Sequence, residues 1–398
     1  MAKAGLGIDV LSAANLRIKK VFDDFPKIYV SFSGGKDSGV MLHLVMQEAI
    51  KRKRKVGVLF VDLEAQYKLT IDYVKEMYSK YSDNIDPYWV SLPLNLRNSV
   101  SQYEPQWVCW DEHKKNKWVR DPDNKSITDF SYFPFFRKGM EFEEFVPEFG
   151  EWYADGKLCA CFVGIRSDES LNRYRTIAGK KSMYEKLKWT TWCGGPLYNI
   201  YPIYDWKTAD IWRFNGKYKA DYNRLYDRMH QAGLTINQAR ICQPYGDDQR
   251  KGLWLYHIIE PETWGKVVAR VSGANHGANY VQENGNVLGY RGITRPEGKS
   301  WEEFAMLLLS SMPKSTAEHY KNKISVFLKW YEDRGYPNGI PDEGPMTDKS
   351  KPSWTRICKA LLRNDYWCKG LSFTQQKTTA YKKYLDLMKR RRSEWNLI

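Results

Sequence analysis

The sequence predicts an α/β protein built on a doubly wound parallel sheet. Two segments, residues 27–32 and 56–63, are apolar and lack the polar alternation of a half-exposed strand, which is typical of strands buried on both faces. Each is followed by helical periodicity, from residue 38 onward and over residues 69–78. The strand, helix, strand order indicates parallel neighbours, because the helix returns the chain to the same end of the sheet.

Later segments extend this pattern with one interruption. Residues 88–94 predict a third strand, and residues 95–156 then break the periodicity with an aromatic-rich insertion. Residues 157–166 predict a further strand, which a short helix at 208–214 follows. We therefore expect one α/β domain over residues 1–240.

The remainder of the chain predicts helices rather than more sheet. Helical patterns at 299–312 and 317–335 indicate a mixed, mainly helical extension over residues 241–335. The turn-rich linker YPNGIPDEGPMTDKSKP separates this extension from a tail, residues 351–398, that we expect to be helical. The tail carries twelve Lys and Arg residues against three Asp and Glu residues, so the C-terminal region is basic.

Composition limits where the protein acts and what it binds. The chain of 398 residues has a formal net charge of +15, which favours an anionic partner such as a nucleotide or nucleic acid. It has no run of about eighteen apolar residues, and its N-terminus lacks the apolar core of a secretory signal. Seven cysteines without a framework spacing fit reduced thiols better than disulfides. We expect a cytoplasmic protein that has no membrane partner.

The segment SGGKDS, residues 33–38, stands where the first strand passes into a helix. Gly34 and Gly35 lack Cβ atoms, so the backbone can adopt positive φ there and bring N–H groups close to an anion. The helix is expected to begin near Asp37 or Ser38, and its first amides have no partner within the helix, which favours negative charge. A tight turn would explain the glycines alone, but the position between strand and helix favours phosphate binding.

The side chains of the same loop suit a nucleotide phosphate. Lys36 can pair with a phosphate oxygen as a point charge, and Asp37 could hold Mg²⁺. Ser33 and Ser38 can supply hydroxyl hydrogen bonds. The pattern differs from the Walker A loop, which has four residues between its first Gly and its Gly-Lys-Ser/Thr.

Three motifs, in the same order along the chain, resemble one superfamily. SGGKDS resembles the pyrophosphate loop of the N-type ATP pyrophosphatases, and GKDSGVMLHL resembles the equivalent run in the small subunit of sulfate adenylyltransferase. VGIRSDESLNRYR (163–175) and PIYDWKTADIW (202–212) resemble later signatures of that subunit and of phosphoadenosine-phosphosulfate (PAPS) reductases. The layout of the whole chain is similar to the PAPS-reductase-like subgroup that includes the immunoglobulin-binding regulator A. The resemblance implies the adenine nucleotide alpha-hydrolase (HUP-like) fold.

The resemblance also implies a substrate and a set of site residues. In this superfamily the loop grips the β- and γ-phosphates of Mg·ATP while an acceptor oxygen attacks the α-phosphate. The adenine lies against backbone at the end of the second strand, which here runs from Leu59 to Asp62. Arg166 and Arg173 are expected to clamp the α-phosphate or a sulfate-like acceptor.

A structural role remains open for each of these residues. Asp62 could instead cap the N-terminus of a helix. Arg166 and Arg173 could instead form exposed ion pairs with Asp168 or Glu169. The two arginines share one face only if the segment between them is helical.

The cysteines argue against reduction of a sulfonucleotide. The resemblance implies that this activity needs a cysteine in a C-terminal tail of the E-C-G-L-H type, and neither Cys358 nor Cys368 stands in one. Four others, with one histidine as a further candidate ligand, are candidates for a shared zinc site: Cys159, Cys161, Cys193 and Cys242, with His257. Their spacing fits no standard zinc site, and buried free thiols are the simpler interpretation.

Three functions remain open at this point. The leading hypothesis is an ATP pyrophosphatase-type enzyme that binds Mg·ATP, adenylylates an acceptor and releases pyrophosphate, acting on or with nucleic acid. The second is a nucleotide-binding transcriptional or phage-related regulator with little catalysis, and the third is a PAPS reductase. Basic clusters at 51–55 and 389–392 are candidate contacts to a nucleic-acid backbone, or only solvated surface. A protein partner subunit is also left open.

Overall fold

A six-stranded sheet forms the centre of the first of two compact units. The first unit comprises Met1–Leu96 and Trp107–Val271, and the second comprises Arg97–Gln106 and Ser272–Ile398. The computed structural model describes the following parts of the chain: residues 7–101, 103–179, 182–242, 244–246, 252–274, 293, 295–332, 335–344 and 351–371.

The sheet is parallel except at one edge. In chain order the strands are β1 (Lys27–Ser31), β2 (Val56–Val61), β3 (Ile85–Val90), β4 (Asn95–Arg97), β5 (Gln106–Val108), β6 (Cys159–Val163), β7 (Thr190–Gly194) and β8 (Leu197–Ile200). The main sheet has the order β3-β2-β1-β6-β8-β7, and β4 pairs with β5 separately. Only β7, at the edge, runs antiparallel to its neighbour β8. The parallel strands at 27–32, 56–63, 88–94 and 157–166 are confirmed to within a few residues.

Helices cover both faces of this sheet, as the doubly wound prediction requires. Those of the first unit are α1 (Val10–Asp24), α2 (Lys36–Lys51), α3 (Lys68–Lys80), α4 (Phe142–Ala154), α5 (Leu171–Ala178), α6 (Thr208–Tyr218), α7 (Leu225–Gln231), α8 (Trp254–Ile259) and α9 (Pro261–Arg270). Ile28 and Val30 of β1 share one apolar core with α1, α2, α3 and α6. Tyr29 points to the other face, where its ring packs on Phe149 and Tyr153 of α4.

Tyr153 ties α4 to the two central strands. Its hydroxyl accepts a hydrogen bond from the Gly57 amide of β2 at 3.1 Å and donates one to the Ile28 carbonyl of β1 at 2.9 Å. A Cβ added at Gly57 would lie 2.8 Å from the Tyr153 ring. The absence of a Cβ at Gly57 therefore lets the ring pack this closely on β2.

The last third of the predicted aromatic-rich insertion at 95–156 contains a regular helix of the α/β fold. α4 is the helix between β3 and β6, and it carries a Pro inside. Phe145, Phe149 and Tyr153 recur every four residues and are buried on one face. The dense aromatic residues around this stripe concealed the helical period.

The domain boundaries also differ from the prediction. The first unit runs to Val271 rather than residue 240, because α8 and α9 belong to it. The later part of the predicted extension and the described part of the predicted tail share a single apolar core in the second unit. That core is formed by α10 (Trp301–Ser311), α11 (Lys314–Glu332) and α12 (Trp354–Leu362). Residues 372–398 of the predicted tail lie outside the described residues.

None of the helices in the described parts of the chain has the length and apolar character that crossing a membrane requires.

The close packing of Tyr153 on β2 predicts opposite effects for two Gly→Ala substitutions. Gly57→Ala forces the buried ring away from the sheet and should lower the free energy of unfolding by about 1–3 kcal/mol. Gly216→Ala, in α6 with open space around it, is the matched control and should raise stability by about 0.5–1 kcal/mol. Urea denaturation of both variants measures this. Equal stability of Gly57→Ala and the parent protein would contradict the packing described.

Candidate functional site

The loop at residues 33–38 is shaped by one glycine in a left-handed conformation. Gly34 has φ +70°, and a Cβ at this position would lie 2.8 Å from the Thr70 methyl group. Gly35 is the N-cap of α2 and contributes no side chain to the helix end. The Ser33 and Ser38 hydroxyls are 3.0 Å apart, and the hydrogen bond between them stabilises the turn. Helix α2 therefore begins within the loop, and the first amides of a helix are groups that favour an anion.

Lys36 is held in a buried position at the start of α2. Its side chain is 6% exposed, and its ammonium donates to the Ala239 carbonyl at 3.2 Å. The same ammonium is 3.5 Å from the Asp37 carboxylate and 5.2 Å from the centre of the Tyr226 ring. The Lys36 amide donates to the Tyr226 hydroxyl at 3.0 Å. Burial raises the pKa of Tyr226, so this hydroxyl is neutral.

Arg166 reaches the same loop from the end of β6. Its Nε donates to the Asp37 carboxylate at 2.5 Å, and the residue is 1% exposed. The Nη1 atom is buried without a hydrogen-bond partner among the described residues. Gly164 makes this approach possible, because a Cβ there would lie 2.9 Å from the Ser38 backbone. The loops after β1 and β6 are thus in direct contact.

These two loops meet at the topological switch point of the sheet. From β1 the chain proceeds outward through β2 and β3, whereas β6 and β8 extend the sheet in the other direction. Open parallel sheets bind ligands in the crevice at the carboxyl ends of such a pair of strands. A cavity of about 260 Å³ lies here, and its lining residues are Lys36, Arg166, Asp168, Glu169, Thr208, Asn237 and Arg240.

Arg173 does not join Arg166 in this cavity lining. Arg166 lies in the loop before α5, and Arg173 lies within the helix, so the two do not share a helical face. The Arg173 Nε is 3.7 Å from the Glu169 carboxylate, and the side chain is about half exposed. This is the ion pair that the sequence left open as the alternative. A clamp by both arginines stays a prediction.

The Asp62 carboxylate and the Leu59 carbonyl both form hydrogen bonds within the protein. The Asp62 carboxylate is fully buried, accepts from the Trp89 indole at 2.9 Å and pairs with Arg120. It does not cap a helix, because α3 begins only at Lys68 with Tyr67 as its N-cap. The Leu59 carbonyl accepts a hydrogen bond from the backbone amide of Phe32, the residue after β1, at 2.8 Å. Contact of either residue with adenine stays a prediction.

A buried ion pair that the sequence did not reveal lies beside Asp62. Glu64 is 0% exposed and receives two hydrogen bonds from the Arg270 guanidinium, at 2.7 and 2.9 Å. The backbone amides of Trp110 and Val119 donate to the same carboxylate. The partners are 206 residues apart in the chain, so no motif or spacing connects them.

Residues 252–270 also fold onto the segment between β2 and α3. The Tyr256 ring stacks on Tyr67, with centroids 3.8 Å apart and planes 7° from parallel. The Glu260 carboxylate accepts from the amides of Lys68 and Leu69 at 2.9 and 3.2 Å. A negative charge is favourable at these first amides of α3. The Tyr256 and Glu260 contacts, with the Arg270 pair, attach α8 and α9 to the carboxyl edge of the sheet.

In the described parts of the chain, the cysteines do not form a cluster that could bind a metal ion. Cys159 and Cys161 are buried in β6, and burial raises the pKa of Cys159 to about 12. Cys193 is exposed and Cys242 is half-buried. Among the described residues, no three His, Cys, Asp or Glu side chains lie together as a metal site would need. A raised pKa disfavours the thiolate that zinc binding or nucleophilic attack requires.

The basic cluster at 51–55 is partly structural. Arg52 pairs with Asp23 at 2.6 Å and also with Glu48. Arg54 donates to the carbonyls of Phe22 and Phe25. The lysines of the cluster are exposed, so a nucleic-acid contact there stays a prediction. The cluster at 389–392 lies outside the described residues.

The fold is that of an α/β domain with a glycine-containing loop at the switch point of its sheet, and comparison with known proteins gives its family. The profile of the phosphoadenosine phosphosulfate reductase domain matches residues 27–233, and that of a domain of unknown function (DUF3440) matches residues 233–343. The chain belongs to the PAPS reductase family. This is a family of nucleotide-binding enzymes.

Individual relatives show how far the similarity reaches. The uncharacterized protein YbdN of Escherichia coli (strain K12) is 46% identical over 400 residues, which cover 100% of this chain and 98% of YbdN. Adenosine 5'-phosphosulfate reductase 1 of Bacillus subtilis (strain 168) is 24% identical over 206 residues, 51% of this chain and 71% of the reductase. The crystal structure of PAPS reductase from Candida auris, a phosphate complex, covers 54% of this chain and 84% of its own, with 16% identity and a TM-score of 0.33.

The buried Glu64–Arg270 pair predicts a large cost for breaking it. Arg270→Met leaves the Glu64 carboxylate buried without a counter-charge and should lower the free energy of unfolding by about 3–5 kcal/mol. The double variant Glu64→Gln with Arg270→Met should lose less than the sum of the single variants, because the orphan charge is gone. The control Arg137→Met breaks an exposed pair with Glu148 and should cost less than about 1 kcal/mol. Denaturant titrations with additive losses would contradict the coupling.

Proposed function

We propose that the protein binds ATP with Mg²⁺ at residues 33–38 and transfers AMP to an acceptor with release of pyrophosphate. One observation carries the proposal: two buried cations, Lys36 and Arg166, converge on a glycine-shaped loop at the start of a helix. Membership of a nucleotide-binding family supports the same reading.

The hydrogen-bonding state of the two cations fits a phosphate ligand. A buried N–H without an acceptor costs about 1–3 kcal/mol, and the Arg166 Nη1 is such a group. A phosphate oxygen in the crevice would satisfy it. The Lys36 ammonium donates a hydrogen bond to the Ala239 carbonyl and lies 3.5 Å from the Asp37 carboxylate. A polyphosphate would offer it a charged acceptor, which forms a stronger hydrogen bond than a carbonyl does.

Each residue then has a distinct part in the reaction. The loop amides and Lys36 would bind the β- and γ-phosphates and stabilise the charge on the departing pyrophosphate. Arg166 would orient the α-phosphate, where the bond to the acceptor oxygen forms as the bond to the pyrophosphate oxygen breaks. Asp37 holds Arg166 in position, and it is the carboxylate that would hold Mg²⁺. The metal ion would supply further neutralisation of phosphate charge when bound.

Reduction of a sulfonucleotide fits the chain less well. Such a reaction needs a reactive thiol, and the last cysteine in the sequence is Cys368. This residue is fully buried, and burial raises the pKa of its thiol to about 12. The thiol is therefore protonated and inaccessible to solvent.

Replacing the loop lysine tests the proposed function. Lys36→Ala should lower pyrophosphate release from Mg·ATP by about a hundredfold or more, because a cation facing the leaving group is lost. Lys51→Ala, at the exposed C-terminal end of the same helix, is the matched control and should retain the parent rate. Release is measured with a coupled pyrophosphate assay, with sulfate or DNA offered as acceptor.

Two results would contradict the proposal in different ways. Pyrophosphate release by Lys36→Ala at the rate of the Lys51→Ala control would mean that the chemistry occurs elsewhere. Tight ATP binding that is lost in Lys36→Ala, without any pyrophosphate release by the parent protein, would support the nucleotide-binding regulator instead.

A further inference from the structure

We propose that Asn237 and Arg240 form a second anion subsite, which binds the oxyanion group of the acceptor beside the nucleotide. The group would be of the sulfate or phosphate type, either free or within a phosphodiester. This inference rests on the proposed function, because it names the chemistry of the acceptor for the same crevice. Both residues lie beyond residue 233, where the match to the reductase domain ends.

The segment that carries these residues spans the crevice. The Ala239 carbonyl accepts from the Lys36 ammonium at 3.2 Å, which attaches the segment to the loop after β1. The neighbouring Arg240 guanidinium donates to the Glu169 carbonyl, which attaches it to the loop after β6. Residues 237–240 therefore form a wall of the cavity at the switch point, and both Asn237 and Arg240 line it.

The donors of this wall are available to a ligand. An arginine carries five N–H groups in a planar fork, and the Arg240 guanidinium has a single acceptor among the described residues, the Glu169 carbonyl. Asn237 is exposed, and its amide group has no side-chain hydrogen bond within the described part of the chain. The Thr208 hydroxyl lines the same cavity. A planar guanidinium beside an amide and a hydroxyl suits a tetrahedral oxyanion.

Electrostatics explains why the acceptor needs a cation of its own. An anionic acceptor must approach an α-phosphate that is itself negatively charged, and like charges repel strongly in a partly desolvated crevice. Lys36 and Arg166 sit at the loop that would hold the nucleotide phosphates and already share Asp37. Arg240 comes from a different segment and remains for the second anion. Two acidic residues, Asp168 and Glu169, also line the cavity and oppose a second anion. Glu169 is partly neutralised by Arg173 at 3.7 Å, so the Arg240 guanidinium is needed to balance the remaining negative charge.

The test measures binding of a second anion to the full chain saturated with α,β-methylene-ATP, a nucleotide that cannot release pyrophosphate. Sodium sulfate is titrated in one arm and a short single-stranded DNA oligonucleotide in the other, by calorimetry. Arg240→Ala should weaken the second anion roughly tenfold or more, and Asn237→Ala should weaken it less. Affinity for the nucleotide analogue should stay unchanged in both variants. Arg213→Ala, 79% exposed on α6 and outside the cavity lining, is the control and should change neither affinity.

The outcomes separate this inference from the proposed function. Binding in the sulfate arm alone indicates a small free oxyanion, and binding in the oligonucleotide arm alone indicates a phosphodiester. Arg240→Lys should recover only part of the affinity, because an ammonium lacks the planar fork. The inference is overturned if the second anion binds Arg240→Ala as tightly as the parent, or does not bind the nucleotide complex at all. Failure of the analogue itself to bind would remove the proposed function, and this inference with it.

Discussion

The Asp37–Arg166 ion pair is the contact on which the site depends. It joins the first turn of α2 to the loop after β6, across the point where the order of the strands reverses. The contact requires a residue without a side chain at Gly164, because any Cβ there would meet the backbone of Ser38. With the two loops fixed together, two buried cations, Lys36 and Arg166, lie at one crevice beside the N-terminus of α2. An anion is the ligand that such an arrangement stabilises.

The sequence was informative where chemistry is local. Continuous apolar runs predict the parallel strands, because a strand covered on both faces has no polar alternation to show. The loop at 33–38 can be recognised in the sequence, because Gly34 adopts a left-handed backbone conformation that few other residues tolerate. Arg166 could be predicted from a motif. The same reasoning failed for α4, where rings on neighbouring positions hid the stripe formed by Phe145, Phe149 and Tyr153.

Contacts between distant segments could not be predicted in this way. Glu64 and Arg270 meet only after the sheet, α8 and α9 have formed, and neither residue belongs to a spacing pattern. The Asp62 carboxylate accepts a hydrogen bond from Trp89 and pairs with Arg120, and neither partner could be identified from spacing in the sequence. The segment at 237–240 shows no motif, and its position against Lys36 and Glu169 follows from tertiary structure. The nucleotide fold and the residues that follow it therefore build one site together.

A crystal structure of the protein with Mg²⁺ and α,β-methylene-ATP would test the central claim most directly. We predict that the β- and γ-phosphates lie on the amides of residues 33–38, with the Lys36 ammonium moved from the Ala239 carbonyl to a phosphate oxygen and the Arg166 Nη1 bonded to the α-phosphate. A nucleotide bound elsewhere, with Lys36 still on that carbonyl and Arg166 still lacking an acceptor, would contradict the account.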